Sequence, residues 1–175
     1  MITKELQSTI LAALSEARKR RHEYLCLEHL LYSLAAETTG SRILRACSVN
    51  VADLRRELEQ FFTEKLEILP DGVDREPEQT LGIQRVLQRA ILHMHSAGKT
   101  EIDSGNVLAA MFRERDSHAI YLLQKQGCQR LDIINYISHG IEKTSESGED
   151  GYHELTLSTN SDGESTQREE EGEAA

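Results

Sequence analysis

Apolar positions recur at helical spacing along most of the chain. Leu6, Ile10, Ala13, Leu14 and Ala17 fall on one face of a helix over residues 3–20. Thr3 is placed to cap it, and Arg18, Lys19, Arg20 and Arg21 gather at its C-terminal end, where cations complement the dipole. Leu27, Leu30, Leu31 and Leu34 predict a second helix over 27–36, broken by Thr38, Thr39 and Gly40. A short third helix spans about 41–46. A fourth opens at Asn50 or Val51 and turns Leu54, Leu58, Phe61 and Phe62 inward. Residues 65–79 hold both prolines, Pro70 and Pro77, with Gly72 and several acids, and read as an exposed linker.

The pattern then resumes. Thr80 caps a helix over 80–97 with Ile83, Leu87, Ala90, Ile91 and Met94 as its stripe, and Gly98 ends it. Asp103 caps the next, which carries Val107, Leu108, Met111 and Phe112. A short helix from Ala119 to Gln126 stops at Gly127. The last spans about 131–139, with Ile133, Ile134 and Ile137 inward.

The second series copies the first. At an offset of 77, Leu6 meets Ile83, Ile10 meets Leu87, Ala13 meets Ala90, Leu30 meets Val107 and Leu31 meets Leu108. Past the next loop the offset becomes 79: Leu44 meets Leu123, Asp53 meets Asp132 and Leu58 meets Ile137. A four-helix unit is duplicated. Each unit of about 65 residues is small to stand alone, so the apolar faces of the copies are expected to bury one another. The expectation is an all-α domain of eight helices, a duplicated four-helix repeat with pseudo-two-fold symmetry over 1–143. Its first repeat is about 1–64, its linker 65–79 and its second repeat about 80–143.

Charge separates the tail from this body. Residues 144–175 carry ten acids against Arg168 alone, or −9; the other twenty acids and nineteen bases leave −1. With little to bury, the tail reads as a disordered acidic segment, in which only His153-Glu154-Leu155-Thr156-Leu157 looks able to dock. The near-neutral body has no electrostatic footprint for nucleic acid. No apolar run approaches the roughly 18 residues that span a bilayer, and the amphipathic N-terminus has no leader pattern, so no membrane partner and a cytoplasmic setting are expected. Cys26, Cys47 and Cys128 lack paired spacing and read as small buried thiols.

Little in the chain suggests catalysis. It contains no Gly-rich phosphate loop with its Lys, no Gly-x-Ser-x-Gly elbow and no His-Glu-x-x-His. His29, in the first turn of a helix beside core leucines, reads as a hydrogen-bonded structural histidine. His22, near Glu23 and Glu28, is the candidate for a surface metal ligand; otherwise no metal or cofactor is expected. What remains is a surface. Glu23 and Glu28 read as exposed acids at the first bend, and Thr80 and Arg85 open the fifth helix. If the linker returns the chain alongside the first half, these four form a polar recognition patch; an ordinary solvated face is the other reading.

The elements Arg21-His22-Glu23-Tyr24, Glu28-His29-Leu30-Leu31, Ala46-Cys47-Ser48-Val49, the run from Gln84 to Ala90 and Ile137-Ser138-His139-Gly140 resemble the N-terminal domain of ClpA-type AAA+ unfoldases, partners of the ClpP protease. The resemblance covers about residues 1–143. It implies a non-enzymatic double repeat that docks the N-degron adaptor ClpS and protein substrates. Position by position, Glu23 and Glu28 resemble acids that face an adaptor Lys, and Thr80 and Arg85 resemble neighbouring polar contacts. His22 matches a histidine that can bind zinc in the family, but a second ligand position, on the fourth helix, is Thr63 here. Cys26 stands where the family often has a capping Thr, a change expected to weaken that cap by up to about 1 kcal/mol. The tail resembles the linker to ATPase modules, so ATP would belong to modules outside this chain. Two other functions fit the same fold: a holdase that binds unfolded chains through an apolar groove, and a small metal-binding protein.

Overall fold

The computed structural model describes residues 1–143. The acidic segment 144–175, including His153-Glu154-Leu155-Thr156-Leu157, lies outside the described residues. Eight helices are present among the latter: α1 (Lys4–Lys19), α2 (Leu27–Ala36), α3 (Thr38–Ala46), α4 (Val51–Lys65), α5 (Leu81–Ser96), α6 (Ser104–Met111), α7 (His118–Lys125) and α8 (Arg130–His139).

Most starts follow local cap chemistry. Thr3, Asn50, Thr80 and Asp103 each accept a hydrogen bond from a backbone N–H of the first turn. Gly98, Gly127 and Gly140, which follow helix ends, all have positive φ. The third helix departs from expectation. Thr38, Thr39 and Gly40 do not interrupt the chain; they are the first turn of α3, because the Glu37 carboxylate accepts the Gly40 N–H (3.2 Å). Gly40 is required there, since a Cβ would overlap the Leu34 carbonyl.

At the centre lie α2 and α6. All of α2 except Ala36 is buried, and so is every residue of α6. The remaining helices pack around them as a duplication demands. α1 lies on α2 as α5 lies on α6; α3 crosses to α6 as α7 crosses to α2; α8 meets α3 as α4 meets α7. The third helix of each repeat thus completes the core of the other, and one hydrophobic cluster runs through both. Neither repeat buries its own apolar face alone. Two assignments of core residues change. Val86, outside the expected stripe, is fully buried, whereas Ile137 is 37 % exposed despite its correspondence with Leu58.

The segment 65–79 is less exposed than its composition suggests. Leu69 and Pro77 are buried. The Leu69 N–H donates to the Arg21 carbonyl (2.8 Å), and His22 and Ile68 form an antiparallel bridge. Tyr24–Leu25 (β1) then pairs in parallel with Glu78–Gln79 (β2), a two-residue ladder in an otherwise helical fold. Arg21, at positive φ, also donates to the carbonyls of Pro70 and Val73 (both 2.9 Å). The connection between the repeats is therefore stitched along the α1–α2 bend.

Candidate functional site

The short ladder sets the site. The Glu23 carbonyl accepts the Glu78 N–H (3.0 Å), and the Leu25 carbonyl accepts the Thr80 N–H (3.1 Å). These bonds bring the N-terminus of α5 beside the N-terminus of α2. The loop between α6 and α7 supplies the third side. Between them is an open cavity of about 510 Å³ whose lining includes Cys26, Glu28, Thr80, Arg85, Glu114 and Ser117.

Three of the four sequence-nominated residues therefore share one cavity, but their roles differ from expectation. Glu28 is not an exposed acid: it is 7 % exposed, and its carboxylate accepts the Ser117 hydroxyl (3.2 Å). Burial pushes this carboxyl above its ordinary range. Thr80 caps α5, its hydroxyl accepting the Ile83 N–H (3.4 Å). Arg85 is exposed and donates from Nε (3.0 Å) and Nη2 (2.6 Å) to one oxygen of Glu114. Arg89 donates to the other oxygen (3.3 Å) and to the Ala110 carbonyl (3.0 Å). The Arg85 hydrogen bond, chiefly, holds the Glu114 carboxyl below its usual range. Glu23 does not line the cavity; it stands on the ladder beside it and pairs with Arg75 at 2.6 Å.

Glu114 and Ser117 were not nominated from the sequence. A signal for Glu114 exists, because at the 77-residue offset it is the counterpart of Glu37.

The family model for the Clp repeat (R) N-terminal domain matches residues 1–126. The chain belongs to this family. A ClpA homolog protein of Fuscovulum blasticum is 44 % identical over 145 residues, covering 82 % of this chain and 18 % of that protein. The chloroplastic chaperone protein ClpC1 of Arabidopsis thaliana is 24 % identical over 152 residues, covering 83 % and 16 %. The chain thus spans under a fifth of the length of these relatives. The Hsp104 N-terminal domain from Candida albicans shares the fold, with a TM-score of 0.66, 14 % identity and coverage of 85 % of this chain and 97 % of that one. So does the ClpV N-domain from Vibrio cholerae, with a TM-score of 0.66, 19 % identity and coverage of 83 % and 88 %.

In this Clp repeat domain His22 and His29 serve the interior, whereas His93, His95 and His139 are exposed. His22 is 3 % exposed and His29 fully buried, so His22 is not a surface ligand. The Cys26 N–H donates to His29 Nδ1 (3.1 Å), which leaves the His29 proton on Nε2. Nε2 then donates to His22 Nδ1 (2.8 Å), and His22 is hydrogen-bonded onward to the Phe62 backbone. Both ring nitrogens of His29 are thereby used within the protein. Phe62 stacks on His29 with centroids 4.8 Å apart. Burial lowers both imidazoles, His29 to about 3, and pushes the Cys26 thiol up to about 12. Thr63 is exposed and bonds back to the Glu59 carbonyl (3.1 Å). Among the described residues no three His, Cys, Asp or Glu side chains are grouped to hold a metal ion. No helix among them is long and apolar enough to cross a membrane.

Proposed function

We propose that this domain docks the N-degron adaptor ClpS and, through it, protein substrates for a ClpA-type unfoldase. The observation that carries this reading is the convergence of Glu28, Thr80 and Arg85, from two helix starts far apart in sequence, on one open cavity. The 44 % identity to a ClpA homolog supports the choice of system. ATP hydrolysis and delivery into ClpP belong, in this proposal, to modules beyond this chain.

The cavity suits a polar partner. Arg85 presents an exposed guanidinium edge while Glu114 fixes its direction. Glu23 is held at the rim by Arg75 and can exchange that partner for an adaptor Lys. Rim charges of this kind act mainly on encounter and register. Glu28 contributes differently: a buried acid bonded to Ser117 orders the cavity wall. Calorimetric titration of ClpS tests the proposal. Glu23→Lys and Arg85→Glu are each expected to weaken binding at least about tenfold without altering the far-UV circular dichroism. Wild-type affinity in both variants would remove this cavity from the interface.

A further inference from the structure

The two repeats finish their outer grooves in opposite ways. In the first, Tyr32 of α2 fills the junction of α1, α2 and α4. Its ring meets Phe62 edge-on with centroids 5.4 Å apart, and the Arg55 guanidinium lies 4.4 Å over it. Its hydroxyl donates to Glu59 at 2.5 Å. At the repeat offsets, Ala109 replaces Tyr32 and Ile134 replaces Arg55. Among the described residues no Phe, Tyr or Trp lines the corresponding junction of α5, α6 and α8, where His93 is the one ring in the wall. A groove of about 260 Å³ remains, with Ala109 and Ala110 among its walls. Leu92, 68 % exposed, and Ile137, 37 % exposed, also line it.

This groove does not end in neutral surface. Arg89, Arg113 and Arg130 line it and also line an adjoining depression of about 740 Å³, to which Arg115 belongs. The two linings together contain four arginines and no Asp or Glu. Arg89 is engaged with Glu114. Among the described residues, Arg113, Arg115 and Arg130 are in no ion pair with a carboxylate, in a body whose bases and acids nearly balance. Guanidiniums gathered in one lining repel one another and create a local positive field that favours an anionic partner.

We propose that this surface binds an acidic protein segment carrying neighbouring aliphatic side chains. The aliphatic groups enter the alanine-walled groove, and the carboxylates run over Arg113, Arg115 and Arg130. Two depressions in series, one apolar and one basic, call for an extended ligand rather than a single small anion. A nucleic acid fits less well, because no Tyr or Trp lines either depression, Phe112 is 6 % exposed, and His93 is the one exposed ring on which a base could stack. Arg113 and Arg115 of the α6–α7 loop also line the adaptor cavity, whereas Leu92 and Arg130 belong to this surface and not to that cavity.

The test is fluorescence anisotropy with a labelled peptide in which two leucines are flanked by glutamates. Two variants leave the adaptor cavity untouched: Arg130→Glu, at the first position of α8, where an acid suits the helix dipole, and Leu92→Glu, on an exposed face. Each is expected to weaken peptide binding at least tenfold while leaving ClpS affinity unchanged. Replacing the peptide leucines by serines is expected to weaken binding similarly, and added salt to weaken it further. Full peptide binding by both variants overturns the proposal. So does equal binding of the serine peptide, or tighter binding of a single-stranded oligonucleotide than of the leucine peptide.

Discussion

Glu37 and Glu114 follow the second helix of their respective repeats, 77 residues apart, and meet opposite surroundings. Glu37 is 9 % exposed and accepts from the Gly40 N–H of its own helix start, the Thr9 hydroxyl of α1 and the Ser104 hydroxyl of α6. It closes the seam between the repeats with neutral donors. At the same offset Thr9 becomes Val86 and Ser104 corresponds to Leu27, so Glu114 finds no such hydroxyls. Instead two guanidiniums reach it from α5, one of them largely in solvent, and the seam stays open as a cavity. Duplication supplied two equivalent junctions. One became a staple, and the other kept its charges at the surface, where a partner can reach them.

The sharpest way to break this comparison is to remove the staple. Glu37→Ala leaves the buried Gly40 and Ser104 donors without this acceptor, at about 1–3 kcal/mol for each group left unsatisfied, while the Thr9 hydroxyl keeps the Glu5 carbonyl at 3.0 Å. A loss of about 3 kcal/mol is expected in urea unfolding. A loss below about 1 kcal/mol would mean that Glu37 is not what fastens the seam.

Acid should separate the two corresponding caps, that of α2 from that of α6. His29 and Asn106 correspond, and both accept the N–H of their cap residue, Cys26 (3.1 Å) and Asp103 (3.0 Å). Only His29 titrates. Its folded pKa, about 3, lies below the unfolded value near 6.5, so the unfolded state binds the proton first. Stability is therefore unaffected above pH 6.5 and falls below it, by about 2 kcal/mol between pH 6.5 and 5. His22 and His118, lowered likewise, add to the fall; Glu28, raised, opposes it. Subtracting the profile of His29→Asn isolates the imidazole. Parallel profiles for wild type and variant would contradict the neutral histidine relay.

The smallest effect on stability is expected at the other junction. Glu114→Gln releases pairs whose arginines are partly or largely in water, so the urea midpoint should barely move. ClpS affinity should nonetheless fall several-fold, since Arg85 loses the carboxylate that aims it. The reverse outcome, a destabilised fold with intact binding, would erase the distinction between the two glutamates.

The helices were legible because their signals are local: apolar spacing, cap residues and terminal glycines. The duplication was legible because it repeats those signals at a fixed offset. Thr38–Gly40 misled because three weak helix formers in a row look like a break; the long reach of Glu37 makes them a first turn. Residues 65–79 misled because proline and acids mark exposure, while the backbone bonds that pin them come from residues 21–25. Glu28 was found but misjudged, since nothing near it in sequence reveals that Ser117 covers it. Ile137 inherits its place from Leu58, but its side chain is partly bare where Leu58 is fully buried.

The central claim is that the open junction, and not the sealed one, receives the adaptor. The most direct measurement is amide chemical-shift mapping of the labelled domain during titration with ClpS. The account predicts that the largest shifts cluster at residues 23–28, 80–85 and 113–117, with little change around Thr9, Glu37 and Ser104. Shifts concentrated at the Glu37 junction, or on the α4–α7 face, would contradict it.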